Sequence, residues 1–543
     1  MLNSSKKTRR GLRTAKPPPS IQKLPAELLY QIFSCVLCLD VNDTLAIHTS
    51  PPWILSRVCS HWKSFMLSFP ELWSSIDIRI PRNKSIPQNA QSILETWLQR
   101  AGTDTPLSIT YQCSDTSDNA QELLMTCISL CKRWERASLH IPATLLPCLH
   151  EVMGKLPLLN RLHLALYNEG YSGSTRPVWL SGDFVTAFRT APRLREVKIR
   201  QICDIANTVD LPWSQLTKYD AAEHVAGDHI TLLDRMKSSV IECKLYSETS
   251  YRPPSSSSPS RFIICSKLRR LELKNCTLLE RLDAPMLQHL IISDLAHPNS
   301  EAILHKFLLR SSCSLKSLDL SNTMLNQEQI MSVLNTADTI QDLRVWLGFE
   351  FASRFMRALT PGKPSGTLVP SETITNHAHR RFSMSHELNA SPNDAPVTRS
   401  SSVKRLSSVS WSIRRKDRHA RGPAKTVSSA DPDLPLLPNL RHLRVNLVSC
   451  HRLNFAELVG MVEKRWIPKV TEGPATRSGA HHRPSGFFRR RHEISSTGMG
   501  LKSLRSLEVI ATGQIATPNL VDQLQSYEAQ GLELKMHLWR EWK

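Results

Sequence analysis

The feature that most constrains this chain is a recurring Leu-x-x-Leu-x-Leu unit. With conservative swaps it appears at Leu159-Leu162-Leu164, Leu194-Val197-Ile199, Leu268-Leu271-Leu273, Leu287-Leu290-Ile292, Leu315-Leu318-Leu320, Ile340-Leu343-Val345, Leu440-Leu443-Val445 and Leu504-Leu507-Val509. Weaker copies begin at Leu216 and Val240. Each copy is one short strand whose alternating apolar residues face inward. A single strand of this kind has too little apolar surface to make a core, so copies must stack to bury a continuous one.

From Leu194 to Ile340 the first positions step by 22, 24, 28, 19, 28 and 25 residues, which brackets the period of leucine-rich repeats. Between the strands lie helical patterns such as AILHKFLLRSS and NQEQIMSVLNTAD, long enough to return the chain to the next strand along a convex side. The expected fold class is therefore α/β, a leucine-rich-repeat solenoid of parallel strands and returning helices. Residues 79–359 are assigned to this solenoid, and 432–543 to further repeats and a closing unit. That unit combines a helix over 518–530, Gly531 as its stop, and the alternating strand LELKMHL.

Two insertions interrupt the series. Residues 371–430 hold 13 serines and only 11 residues of the Val, Ile, Leu, Met, Phe or Trp type, too few to offset the entropy of ordering the segment. The expectation is a disordered Ser/Arg-rich insertion at 360–431. The second is a basic loop at 468–498, after the helix-like NFAELVGMVEKRW, where Asn454 and Glu457 suit a capping box.

The net charge of +21 resembles a nucleic-acid signature until it is located. Residues 1–23 hold seven Lys/Arg and no acid, 360–430 hold twelve against four, and 464–493 hold eight against two, which accounts for the whole excess. Positive charge thus belongs to a basic arm (1–22) and two insertions. Solvated tails are the favoured reading, ahead of nuclear import or contact with an anionic surface, with nucleic-acid recognition last. Apolar runs are too short to span a membrane, and the thirteen cysteines are scattered among apolar positions, so free thiols in an intracellular setting are expected, in cytoplasm or nucleus.

Organised sequence begins at Leu24. LPAELLYQIFSCVL reads as an amphipathic helix with Pro25 in its first turn, one row at Leu28, Ile32 and Val36, and a second at Leu29, Phe33 and Leu37. After Pro51 and Pro52, WILSRVCSHWKSFMLSF repeats the helical pattern with Ile54, Val58 and Trp62 in one row, and Pro70 stops it. Two short helices cannot hide such broad apolar faces by packing on each other, so part of that surface must meet the rest of the chain or a partner.

The order LPAELLYQIF, RVCSHWKSF, PELW resembles the F-box motif over roughly residues 20–77. The resemblance implies a helical domain at 23–78 that docks onto the small helical adaptor of a cullin-RING ubiquitin ligase. Matching positions make Leu24, Pro25, Leu28, Ile32, Val58, Cys59 and Trp62 the adaptor contacts, with Leu72 and Trp73 closing the small core. The long stretch Cys38–Pro52 departs from the tighter turn of many F-boxes. The body, through CKRWERASLHIP, FRTAPRLREVKI, LPWSQLTKY, FLLRSSCSLKSLDLS and ELVGMVEKRW, resembles a large fungal class of F-box proteins with degenerate leucine-rich repeats, whose repeat face is read as protein-binding.

On that reading the strand positions flanking the inward leucines face a protein target, among them Lys198, Arg200, Arg270, Glu272, Asp319, Arg344 and Trp346. No phosphate loop, dinucleotide fingerprint, nucleophile elbow or His-Glu-x-x-His motif occurs. The expectation is a non-enzyme with no cofactor and no metal. The pairs Cys35/Cys38 and Cys127/Cys131 read as structural thiols, and His481/His482 as a solvated pair. Ser383 and Ser407 follow basic residues in the pattern favoured by basic-directed kinases. Two other functions stay open: a ligase-independent repeat scaffold, and a nucleic-acid binder acting through the basic insertions.

Overall fold

Strands form wherever the second and third apolar positions of the repeat alternate. The computed structural model describes residues 21, 24–37, 50–80, 85–167, 185–202, 204–223, 226–247, 262–274, 276–293, 299–321, 325–347, 349–360, 436–447, 455–466, 503–512 and 518–539. All belong to one of two units, Met1–Pro361 with Pro435–Lys543. The other unit, Gly362–Leu434, lies outside the described residues, as do the expected phosphosites Ser383 and Ser407, Asn454, Cys38, His481/His482 and the loop 468–498.

Within the first unit the strands are β1 (Ser75–Ile80), β2 (Leu107–Cys113), β3 (Trp134–Pro142), β4 (Arg161–Tyr167), β5 (Glu196–Arg200), β6 (Lys218–Glu223), β7 (Glu242–Ser247), β8 (Ile263–Ile264), β9 (Arg270–Leu273), β10 (Leu282–Asp283), β11 (His289–Ile292), β12 (Ser317–Leu320), β13 (Asp342–Leu347), β14 (His442–Leu447), β15 (Ser506–Thr512) and β16 (Glu533–Trp539). All except β8 and β10, which pair with each other, lie in chain order in one 14-stranded parallel sheet. Three strands, β1 to β3, precede the first Leu-x-x-Leu-x-Leu unit, and β1 begins inside the segment read as helical.

The helices are α1 (Ala26–Leu37), α2 (Pro51–Val58), α3 (Ser60–Ser68), α4 (Ala90–Arg100), α5 (Asp118–Ser129), α6 (Ile205–Thr208), α7 (Ala226–Met236), α8 (Ser300–Ser311), α9 (Gln327–Asn335), α10 (Phe349–Leu359), α11 (Phe455–Arg465) and α12 (Pro518–Ala529). This is an α/β architecture, compatible with a solenoid-like stack. None of the described helices is long and apolar enough to cross a membrane.

Register explains why the leucines recur. Leu162 lies opposite Val197, and the same row continues through Tyr219, Cys243, Leu271, Leu290, Leu318, Leu343, Leu443 and Leu507. All of them are buried. Each such side chain removed from water contributes roughly 1.5–3 kcal/mol before entropy is counted. Leu343 and Leu443 are 100 positions apart in sequence and direct neighbours in the sheet, so the long insertion leaves strand order unbroken.

A second repeated device is an arginine near the end of a repeat's helix or turn. Carbonyls at a helix end have no partner within their own helix. Arg133 donates to Ala101 O (3.1 Å) and Thr105 O (3.0 Å) beyond α4, and Arg235 to Ala206 O of α6 (2.9 Å). Arg310 on α8 donates to Leu279 O and Leu282 O, both at 2.6 Å from Nη2. Arg465 is fully buried and donates to Leu359 O (2.5 Å), Leu436 O (2.9 Å) and Leu437 O (3.0 Å), tying the two ends of the insertion together. Each guanidinium caps the preceding repeat.

The single helix expected over 53–69 is corrected: it is two helices. Cys59 is extended (φ −160°, ψ 170°), and its Sγ accepts from Trp62 N at 3.5 Å, so it ends α2 and caps α3. Val58 and Trp62 therefore do not share one helical row. Three indoles join these helices to the sheet. Trp53, Trp73 and Trp97 lie edge to face at 5.4–5.7 Å, and Trp97 Nε1 donates to Trp73 O at 2.8 Å while Trp73 Nε1 donates to Met66 O at 2.8 Å.

Candidate functional site

Two surfaces combine unusual composition with access. The first belongs to α1 and α2. Helix α1 buries Leu29 and Phe33 and leaves Leu28 (46% exposed) and Ile32 (40%) on its outer face. Helix α2 buries Pro52, Trp53 and Leu55 and leaves Ile54 (43%) and Val58 (57%) outside. Four large apolar side chains on two short helices thus remain in water, each forgoing burial energy that a partner could supply.

Of the residues assigned to adaptor contact, Leu28, Ile32, Val58 and Pro25 are exposed, and Leu24, Cys59 and Trp62 are half-buried. Trp62 packs edge-on against Phe33 at 4.7 Å, so it supports the surface as much as it forms it. Leu72 and Trp73 are buried. Ile54 belongs with the exposed set and was absent from the carried-over residues. Its place in the Ile54, Val58 row is the signal that could have found it.

The second surface is the face of the sheet opposite the buried leucines. It holds a groove of about 470 Å³ across β2 to β7 and another of about 450 Å³ across β9 to β16. Side chains here stand in register rows, so residues 20 to 35 positions apart meet. Arg161, Glu196, Lys218, Glu242 and Arg270 form one continuous chain of alternating charge, with successive separations of 3.0, 3.3, 3.9 and 3.4 Å.

Most of the charged residues expected to face a target are held in ion pairs within the sheet face. Arg200 pairs with Asp220 at 2.6 Å, Arg270 with Glu242, and Glu272 with Lys244 at 3.1 Å and with the Tyr246 hydroxyl. Burial alone would raise the Glu272 carboxyl, but the hydrogen bonds from Tyr246 and Lys244, together with the charges of Lys244 and Arg270, outweigh it and hold the group below its ordinary range. Asp319 is buried (8% exposed), accepting from Ser321 N and Oγ and pairing with Arg344 at 3.2 Å. Lys198 has no ion-pair partner among the described residues, and Trp346 stands 37% exposed. Surface ion pairs of this kind contribute little stability each, but they leave few charges uncommitted.

A cluster not anticipated from sequence lies on β3 and β4. His140 Nε2 and Ser138 Oγ each approach His163 Nδ1 to 3.1 Å, and the two imidazoles are edge to face at 4.3 Å. Burial, reinforced by His140, Lys198 and Arg200, holds His163 down to about 3, and burial with Lys198 and Arg79 lowers His140. Both rings are neutral at pH 7, in a locally positive field. Three residues recurring at the same strand positions, 138, 140 and 163, were the available signal, but only the register shows that they converge.

Cys127 and Cys131 are buried, and burial pushes the Cys127 thiol up to about 12 and raises Cys131, as befits unreactive core thiols. Among the described residues no group of three or more His, Cys, Asp or Glu side chains is placed to hold a metal ion.

No protein-family model matches the chain, and no curated protein matches it either.

Proposed function

We propose that the chain is a substrate-recognition adaptor of a cullin-RING ubiquitin ligase, with an F-box on α1 to α3 docking to the ligase core and a leucine-rich-repeat sheet face holding a protein target. The observation that carries this reading is the exposed apolar set Leu28, Ile32 and Val58 within the segment that carries the F-box resemblance. A soluble helix pair with no partner would be expected to turn polar side chains outward at these positions.

The role needs no catalytic group in this chain. Holding a target beside a ubiquitin-carrying enzyme turns a bimolecular encounter into a nearly intramolecular one, and the rate follows from effective concentration. The sheet supplies the rigid arm. Its 14 parallel strands pair in chain order, and the three indoles Trp53, Trp73 and Trp97 anchor the helical segment to its first strands.

The test is a pull-down of the ligase's small helical adaptor by wild-type chain and by a Leu28→Glu, Ile32→Glu, Val58→Glu triple variant. These positions are exposed, so the variant is expected to keep its circular dichroism spectrum and lose adaptor binding by at least a hundredfold. If well-folded wild type fails to bind, the ligase-independent scaffold becomes the better reading.

A further inference from the structure

The open face of the sheet is not electrostatically uniform. From β5 onward β5, β6, β7 and β9 each present a carboxylate there, Glu196, Asp220, Glu242 and Glu272, and each is engaged by a neighbouring cation. Across β2, β3 and β4 the paired open-face positions present no carboxylate at all. They carry hydroxyls, an amide, imidazoles and two arginines. Glu135, the acid of these strands, sits at the irregularity where the β2–β3 register skips it, and it does not line the groove.

We infer that this donor-rich stretch, centred on Arg136, Ser138, His140, Arg161, His163 and Lys198, is the docking site for an acidic, extended segment of a protein target. Arg136 and Lys198 have no ion-pair partner among the described residues and line the groove on either side of His163. A carboxylate at Arg136 or Lys198 would meet a charge-assisted donor without displacing an existing ion pair, with Arg161 already held by Glu196 at 3.0 Å, whereas over β5 to β9 it would have to compete with Glu196, Asp220 or Glu242. The neighbouring strands are spaced about 4.8 Å apart, so the acid-free stretch is roughly 10 Å wide, which suits one extended peptide and is too narrow for a nucleic-acid duplex. None of its described open-face side chains is a Trp, Tyr or Phe on which an unpaired base would stack.

This rests on the adaptor reading only for the segment's role as target; the site itself stands on the sheet. The experiment is fluorescence anisotropy of a labelled decaglutamate peptide with the full chain at pH 7 and moderate salt. An Arg136→Ala, Lys198→Ala variant is expected to weaken binding at least tenfold. An Arg444→Ala, Lys535→Ala variant toward the other end of the sheet should change it less than twofold. A chain lacking 371–430 and 473–493 should still bind the peptide.

Three results would overturn the inference: no saturable binding by wild type, binding that survives in the Arg136/Lys198 variant and vanishes with the basic insertions, or displacement of the peptide by an equally charged single-stranded oligonucleotide that binds the same residues more tightly. The same preparations are assayed for the ligase adaptor. Loss of peptide binding with adaptor binding intact concerns this site alone, and the reverse concerns the adaptor reading alone.

Discussion

The α1–α2 segment and the sheet are both rich in leucine, isoleucine and valine, yet they use them in opposite ways. In the sheet, Leu271, Leu290, Leu318 and Leu343 stand one behind another and are wholly or almost wholly buried. In the helices, successive turns direct residues of the same type, Leu28 and Ile32 on α1 and Ile54 and Val58 on α2, into water. Apolar character alone therefore does not say core. What distinguishes the two is whether a neighbouring repeat arrives to cover the residue, and for the helices none of the described residues does so fully.

This contrast breaks if stability responds alike in both regions. The largest effect is expected in the sheet: Leu318→Ala leaves a cavity between adjoining strands and should cost about 2–5 kcal/mol, read from the urea midpoint. A loss below 1 kcal/mol would mean that the repeat row is loosely packed.

Acid should sharpen the comparison next. His229 on α7 is fully buried, and burial holds it down to about 4 from an ordinary 6.5. The unfolded chain protonates first, so stability is intact above about pH 6.5 and falls as pH drops toward 4, by on the order of 3 kcal/mol from this group. His61, in the helical segment, is exposed. Hydrogen exchange between pH 7 and 4.5 should therefore show amides around α7 losing protection before those of α1 to α3. Simultaneous loss would place the acid-sensitive group elsewhere.

The smallest effect is expected at the helix surface. Ile32→Ser and Val58→Ser should each shift thermal stability by no more than about 0.5 kcal/mol, because both side chains are exposed. A larger cost would show that they are already packed within the chain.

Apart from β8 and β10, the strands from β4 to β15 were legible because each carries the same spacing, so that even the weak copies at Leu216 and Val240 lead into β6 and β7. Strands β1 to β3 were not in that series. Ile76-Ile78-Ile80, Leu107-Ile109-Tyr111 and Ala137-Leu139-Ile141 alternate as strands do, but lack the leading leucine that made the others conspicuous. The break between α2 and α3 was missed because Cys59 satisfies a helical periodicity while its backbone is extended. Arg133, Arg235, Arg310 and Arg465 looked like ordinary basic residues near helix ends, since a side chain's carbonyl partners in the preceding repeat cannot be read from its own neighbours.

The sequence by itself determined which residues are inward and in what order the strands follow, because burial period and repeat spacing are local properties of a one-dimensional stack. Which open-face charges cancel and which remain uncommitted was decided only by tertiary structure. Arg161 meets Glu196, and Arg200 meets Asp220, across gaps of tens of residues fixed by register. Arg136 and Lys198 are left over for the same reason: an ion pair forms at 3–4 Å, and distances of that size between repeats exist only once the strands have stacked.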